Sequence, residues 1–182
     1  SGDADATWTT RRGIGYDHWT ADNVFEFCGV FAPRTRGWFC ALTSHDLVGA
    51  YTDALEPDRY VFAPLPCVSP GMNVRLAGDG PSSWTVWMVV SRPRCNPWSS
   101  WGTLPGAYVV PPERGDRPVV GSKPLALMRA IIRDYTRPGD TVCDPCAGGG
   151  TTLLAAAMEG RHAIGAEMDP ATHALATARI AR

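Results

Sequence analysis

Thr141-Val142-Cys143-Asp144-Pro145-Cys146-Ala147-Gly148-Gly149-Gly150-Thr151-Thr152 opens the stretch that decides the fold, and it runs through an Ala/Leu-rich segment to Gly165-Ala166-Glu167-Met168-Asp169. A short apolar run ends at Asp144, a triple glycine follows, a helix opens at Thr151, and a second apolar run from His162 ends on Glu167. That order is strand, turn, helix, strand, a βαβ unit. Gly148, Gly149 and Gly150 have no Cβ, so the backbone can take positive φ and a ligand can approach its N–H groups at the positive end of the helix. Asp144 and Glu167 close adjacent parallel strands at their carboxyl ends, the edge where open α/β sheets bind ligands, and an acid after the second strand suits a ribose diol. A nicotinamide fingerprint wants a third glycine where Leu153 stands, and a P-loop wants a lysine after Gly150, where Thr151 stands.

Asp144-Pro145-Cys146-Ala147-Gly148-Gly149-Gly150-Thr151-Thr152, followed by Gly165-Ala166-Glu167-Met168-Asp169, resembles the S-adenosylmethionine site of the amino-group DNA methyltransferases, which make N6-methyladenine or N4-methylcytosine. Cys146 stands where that family has phenylalanine, and Gly149 where serine is common. The resemblance implies a Rossmann-like α/β methyltransferase fold, three layers αβα, with S-adenosylmethionine as cofactor and no metal. It places the cofactor against Lys123, Pro124, Asp144, Pro145, Cys146, Ala147, Gly148, Gly150, Thr151, Thr152, Glu167 and Met168. Asp144 and the turn would hold the methionine part, Glu167 the ribose hydroxyls, and Met168 would pack on adenine. Lys123-Pro124 matches the family's Lys-Pro opening beside the methionine carboxylate. Ser122 is a good N-cap for the helix that starts there, with Met128, Ile131, Ile132 and Tyr135 at helical spacing.

Upstream, Thr20 caps a predicted helix carrying Val24, Phe27, Cys28 and Phe31. Gly37–Thr43 then reads as a strand buried on both faces, as in a parallel sheet. At its end Ser44 reads as a helix cap with His45 on the surface, the alternative being a base or phosphate contact by His45. Helix 46–56 leads to a strand at Tyr60–Ala63, and another is expected at Trp84–Val90. The Pro/Gly-broken stretch Cys67–Ser83 between them reads as a long loop, of the kind that is functional or disordered. Arg75 in it is a phosphate-contact candidate, with simple surface exposure as the equal alternative. From Ser91 to Gly121 the chain mixes prolines, arginines and large aromatics without period, where the family carries its target-recognition loop. Arg92 and Arg94 are DNA-contact candidates there, while Trp98 and Trp101 read as packing anchors rather than stacking platforms.

The expected organisation is one domain over 1–182, with substrate-side strands over 1–90, the recognition loop over 91–121 and the cofactor part over 122–182. This is the permuted order of the family's β group. Pro170 opens a last helix with Ala174, Leu175 and Ala178 inward. The family's acceptor tetrapeptide, Asp/Ser/Asn-Pro-Pro-aromatic, does not occur; Pro111-Pro112 is flanked by Val110 and Glu113. Residues before Ser1 or a second polypeptide are therefore expected to supply that motif and its strand, between the strands ending at Asp144 and Thr43. Ala6–Thr10, which alternates polar residues, is a poor substitute. The competing reading is a catalytically silent methyltransferase-fold subunit that binds nucleic acid or a partner chain.

Composition suits a soluble cytoplasmic enzyme domain: 182 residues, 45% hydrophobic, with no apolar run long enough to span a bilayer. The net charge of −1 means any nucleic-acid contact is a local patch rather than a global field. Lys123 is the only lysine among seventeen basic residues. Six cysteines lack a second CxxC or a histidine pair beside Cys143-x-x-Cys146, so reduced structural thiols are expected.

Overall fold

A computed structural model describes residues 18–70, 83–94, 101–112, 119 and 121–181. They fall into two compact units, one over His18–Pro112 and one made of the described residues from 119 onward.

The first unit is built on a mixed sheet. Its spine is β4 (Ser83–Pro93), with β1 (Phe39–Thr43) antiparallel along one side. β2 (Arg59–Val61) and β3 (Leu65–Pro70) follow one another along the other side, both antiparallel, and β5 (Tyr108–Val109) adds to β3 in parallel. Helix α1 (Ala21–Phe31) starts at Thr20, whose side chain and backbone form a capping box with Asn23. Residues 45–47 make a single 3-10 turn that runs into α2 (Val48–Leu55). Val24, Cys28, Tyr51 and Leu55 of the helices bury against Phe39, Ala41 and Val89 of the sheet. Strand alternation then turns Cys40, Met88 and Val90 to the other face, where Met88 and Val90 are also almost fully buried.

Among the described residues, one cation lies inside this unit. Arg59 is 4% exposed and donates from Nε to Ser91 Oγ (2.9 Å), from Nη1 to the Thr35 carbonyl (2.9 Å), and from Nη2 to the carbonyls of Gly37 (2.6 Å) and Ser91 (3.2 Å). The guanidinium thus fastens the α1–β1 connection to the sheet through neutral acceptors. Burial lowers its pKa from the ordinary arginine value.

Four expectations fail here, the first because local pattern carries no strand direction. The 37–43 run is antiparallel to β4 rather than parallel. The first four residues of the supposed loop, Cys67–Pro70, belong to strand β3, and β4 runs on through Arg92 into the supposed recognition loop, which also contributes β5. Ser44 makes no side-chain cap, although His45 is on the surface as expected, its side chain 85% exposed. Trp101 packs edge-on against Trp38, centroids 5.9 Å apart. Arg75, Trp98 and Ala6–Thr10 lie outside the described residues.

The second unit follows the expected order: α3 (Leu125–Tyr135), β6 (Thr141–Asp144), α4 (Thr151–Met158), β7 (His162–Gly165) and α5 (Pro170–Ile180). Strands β6 and β7 are parallel, with Asp144 opposite Gly165. The hydrophobic side of α3 (Leu127, Met128, Ile131, Ile132) is buried, as are Ala155 and Ala156 of α4. Arg129 and Arg133 hold Glu159 at 2.6 and 3.0 Å, and the Arg129 hydrogen bond keeps that carboxyl below its ordinary pKa. Two details differ from expectation. Helix α3 starts at Leu125 with Pro124 in the cap position, so Ser122 does not cap it, and Ser122 Oγ is buried with no partner among the described residues. In α5 the buried residue is Ala176, while Leu175 is 49% exposed.

Candidate functional site

The site grows from the ends of β6 and β7. After Asp144 the chain turns through Pro145–Gly150, and both Gly148 (φ +50°) and Gly150 (φ +73°) sit in the left-handed region that favours glycine. The two are held differently. A Cβ on Gly150 would stand 3.1 Å from Ala176 Cβ and Ile180 Cδ1, whereas one on Gly148 would meet nothing within 4 Å. Gly150 lets α5 close on the turn, and Gly148 faces open space.

Main-chain bonds lock the turn to the neighbouring strand: the Ala166 N–H donates to the Asp144 carbonyl (3.1 Å), and the Ala147 N–H to the Ala166 carbonyl (2.8 Å). Glu167 does the rest. Its Oε2 accepts from the Gly148 N–H and its Oε1 from the Asp169 N–H, each at 2.9 Å. Asp144 Oδ1 accepts from the Cys146 N–H at 3.1 Å. One carboxylate therefore lies at each strand end, both engaged by the backbone of the turn they flank. Met168, beside Glu167, is 83% exposed, an unusual amount of free apolar surface for a side chain between two ordered acids.

Half-buried Lys123 reaches the Gly121 carbonyl (3.4 Å); burial lowers its pKa, and the Asp144 charge opposes that shift. The exposed Cys146 thiol has its pKa raised, first by desolvation and then by Asp144 and Glu167. The group offers two carboxylates, one ammonium and an apolar flank. That set suits a small ligand bearing hydroxyls, an amino acid head and a flat ring, and it contains no nucleophile paired with a base. Among the described residues no group of three His, Cys, Asp or Glu side chains could hold a metal ion.

The structure thus gathers Lys123, Pro124, Asp144, Cys146, Gly148, Gly150, Glu167 and Met168 in the second unit. Thr151 and Thr152 open α4 behind them. The arginine candidates are elsewhere. Arg92 ends β4 with its guanidinium 5.1 Å from the Tyr60 ring centre and 5.9 Å from that of Phe62, and Arg94 donates to the Glu56 carbonyl. In the antiparallel register both lie where β1 begins, at the other end of that strand from Thr43. Sequence reasoning missed Arg179, which touches the turn from α5; a lone arginine in a last helical turn carries no signal of its own.

A family model described as DNA methylase, covering N6 and N4 enzymes, matches residues 77–178. Among curated proteins the chain is 38% identical over 73 residues to the type II methyltransferase M.BglI of Bacillus subtilis, a match covering 40% of this chain and 21% of that protein. It is 44% identical over 61 residues to M.HindIII of Haemophilus influenzae, covering 34% and 20%. The matched part thus spans about a fifth of the length of these relatives. Among solved structures, the M1.HpyAVI–SAM complex has a TM-score of 0.73 at 24% identity, covering 86% of this chain and 81% of that one. The cytosine-N4-specific PvuII DNA methyltransferase has 0.63 at 16%, covering 93% and 74%. These likenesses establish the α/β methyltransferase fold. No helix among the described residues is long and apolar enough to cross a membrane.

Proposed function

This chain belongs to the DNA methylase family, and from that premise we propose that it binds S-adenosylmethionine at the β6–β7 strand ends and serves methyl transfer to an exocyclic amino group of adenine or cytosine in DNA. The observation that carries the reading is the Glu167 carboxylate bonded to the Gly148 N–H, which joins the acid after the second strand to the open side of the glycine turn after the first. Glu167 then takes the ribose hydroxyls, exposed Met168 covers the adenine, and Asp144, Lys123 and the turn take the charged methionine end. The cofactor supplies an electrophilic methyl on a sulfonium; this chain's residues supply position and exclude water. Arg75, Arg92 and Arg94 are proposed as phosphate contacts, giving DNA affinity that falls with salt.

The acceptor motif is proposed to come from a further strand, contributed by residues before Ser1 or by a second chain. Two observations support this: among the described residues β6 pairs only with β7, and β1 only with β4. The same lack of an acceptor tetrapeptide favours, as a second reading, a subunit that binds cofactor or nucleic acid without transferring methyl groups by itself.

Titration calorimetry decides the cofactor reading. S-adenosylmethionine should bind and NAD should not. Glu167→Gln, which keeps the shape and removes the charge, should weaken binding about ten-fold, the loss of one charge-assisted interaction of ~1.5 kcal/mol. A folded protein indifferent to S-adenosylmethionine refutes it.

A further inference from the structure

We infer that Arg179, near the end of α5, is a positioning residue for the cofactor turn, an inference that rests on the cofactor reading above. Its Nη1 donates to the Gly149 carbonyl at 3.0 Å and to Thr151 Oγ1 at 2.9 Å, from a partly buried position. Gly149 lies between two residues in the left-handed region, so its peptide plane is the part of the turn that local preference determines least. Holding its carbonyl fixes the peptide group it shares with Gly150, whose N–H donates to the Ala147 carbonyl at 2.8 Å.

The other end of α5 is tied to the same site. The Asp169 N–H donates to Glu167 Oε1, and the Asp169 side chain caps the helix by accepting from the Thr172 N–H (2.8 Å) and Oγ1 (2.6 Å). Helix α5 therefore runs from the carboxylate at the end of β7 back to the glycine turn after β6. Both ends of the site are set by one rigid rod, and Ala176 and Ile180 close against Gly150 between them. A packed helix alone would place the turn approximately; the guanidinium adds one directed bond to the Gly149 carbonyl, which orients that peptide group, and one to the hydroxyl of Thr151, which joins the turn to the start of α4.

Two variants test this, Arg179→Met, which keeps most of the stem, and Arg179→Lys, which keeps the charge. The first measurement needs no cofactor. Amide exchange in Arg179→Met should quicken about ten-fold within residues 148–152 and stay unchanged in α3, β6 and β7. The second is calorimetric: S-adenosylmethionine affinity should fall about ten-fold in the Met variant and less in the Lys variant, and millimolar guanidinium should restore part of the loss where an equal concentration of potassium chloride does not. Unchanged turn exchange overturns the inference, and so does an equal rise throughout the unit, which would report lost stability rather than a lost position. If the unaltered chain binds no S-adenosylmethionine, the functional reading fails, and the exchange data still decide whether Arg179 holds the turn.

Discussion

The centre of strand β4 and the whole of strand β7 contrast in burial. In β4, Met88, Val89 and Val90 are each 2% exposed or less, so the strand is covered on both faces. All four residues of β7 are exposed, and Ile164 is 61% exposed although parallel strands are normally buried on both sides. The unit built on β4 draws its cohesion from its sheet. The unit containing β7 draws it from α3 and α4, and its two strands act as a short shelf whose ends carry Asp144 and Glu167. Among the described residues this sheet has two strands, which contribute little stability of their own and leave the strand ends free to be shaped for a ligand.

The sharpest way to break this contrast is at Arg59. Arg59→Met leaves the buried carbonyl and hydroxyl of Ser91 and the part-buried carbonyls of Thr35 and Gly37 without this donor, and an unmet buried acceptor costs ~1–3 kcal/mol, so urea unfolding of the sheet unit should lose about 3 kcal/mol. Fluorescence or exchange probes in α3 and α4 should hardly respond, and an equal loss there would mean that the two units do not differ as described. A second test compares two truncations. Met88→Ala removes a fully buried side chain and should cost ~2–4 kcal/mol, whereas Ile164→Ala, on an exposed strand, should stay within ~0.5 kcal/mol. If thermal melts show Ile164→Ala to be as costly as Met88→Ala, something covers β7 in solution, and an added strand becomes the first suspect.

The smallest effect is chemical and leaves the fold alone. Burial raises the thiols of Cys28 and Cys67 to about 11 and that of Cys40 to about 12, so hardly any thiolate exists on them at pH 8. Cys143 and Cys146 are exposed, although desolvation and the Asp144 and Glu167 charges raise the Cys146 pKa. Among the cysteines of the described residues, mass spectrometry after brief iodoacetamide treatment should find the label on Cys143 and Cys146 first, with Cys28, Cys40 and Cys67 reacting only once the protein unfolds. Early label on Cys40 would place it outside the core.

What could be read from sequence follows the same division. In the turn unit, each element is closed by something local: glycines after β6, Pro138-Gly139 before it, Asp169-Pro170 at the start of α5. The site acids sit at strand ends that such punctuation marks. In the sheet unit, β1 and β2 pair with a strand thirty or more residues further along the chain, and an apolar run such as 37–43 looks alike whether its neighbour runs with it or against it. The hydrogen bonds of Arg59 and Arg179 were invisible for a related reason. Each depends on a carbonyl more than twenty residues away, and nothing in an arginine's immediate neighbours announces such a partner.

The register of β1 on β4 also sets an order of events. Phe39 pairs with Ser91 and Thr43 with Trp87, so the chain must bring together segments some forty to fifty residues apart before the spine gains its first flank on that side. Strand β6 meets β7 after a loop less than half as long, and the intervening helix shortens the gap further. Loop closure costs more, and takes longer, the more chain it must gather. Pulse-labelled refolding should therefore protect the amides of β6 and β7 before those of β1. The glycine turn takes its shape while the larger sheet is still assembling.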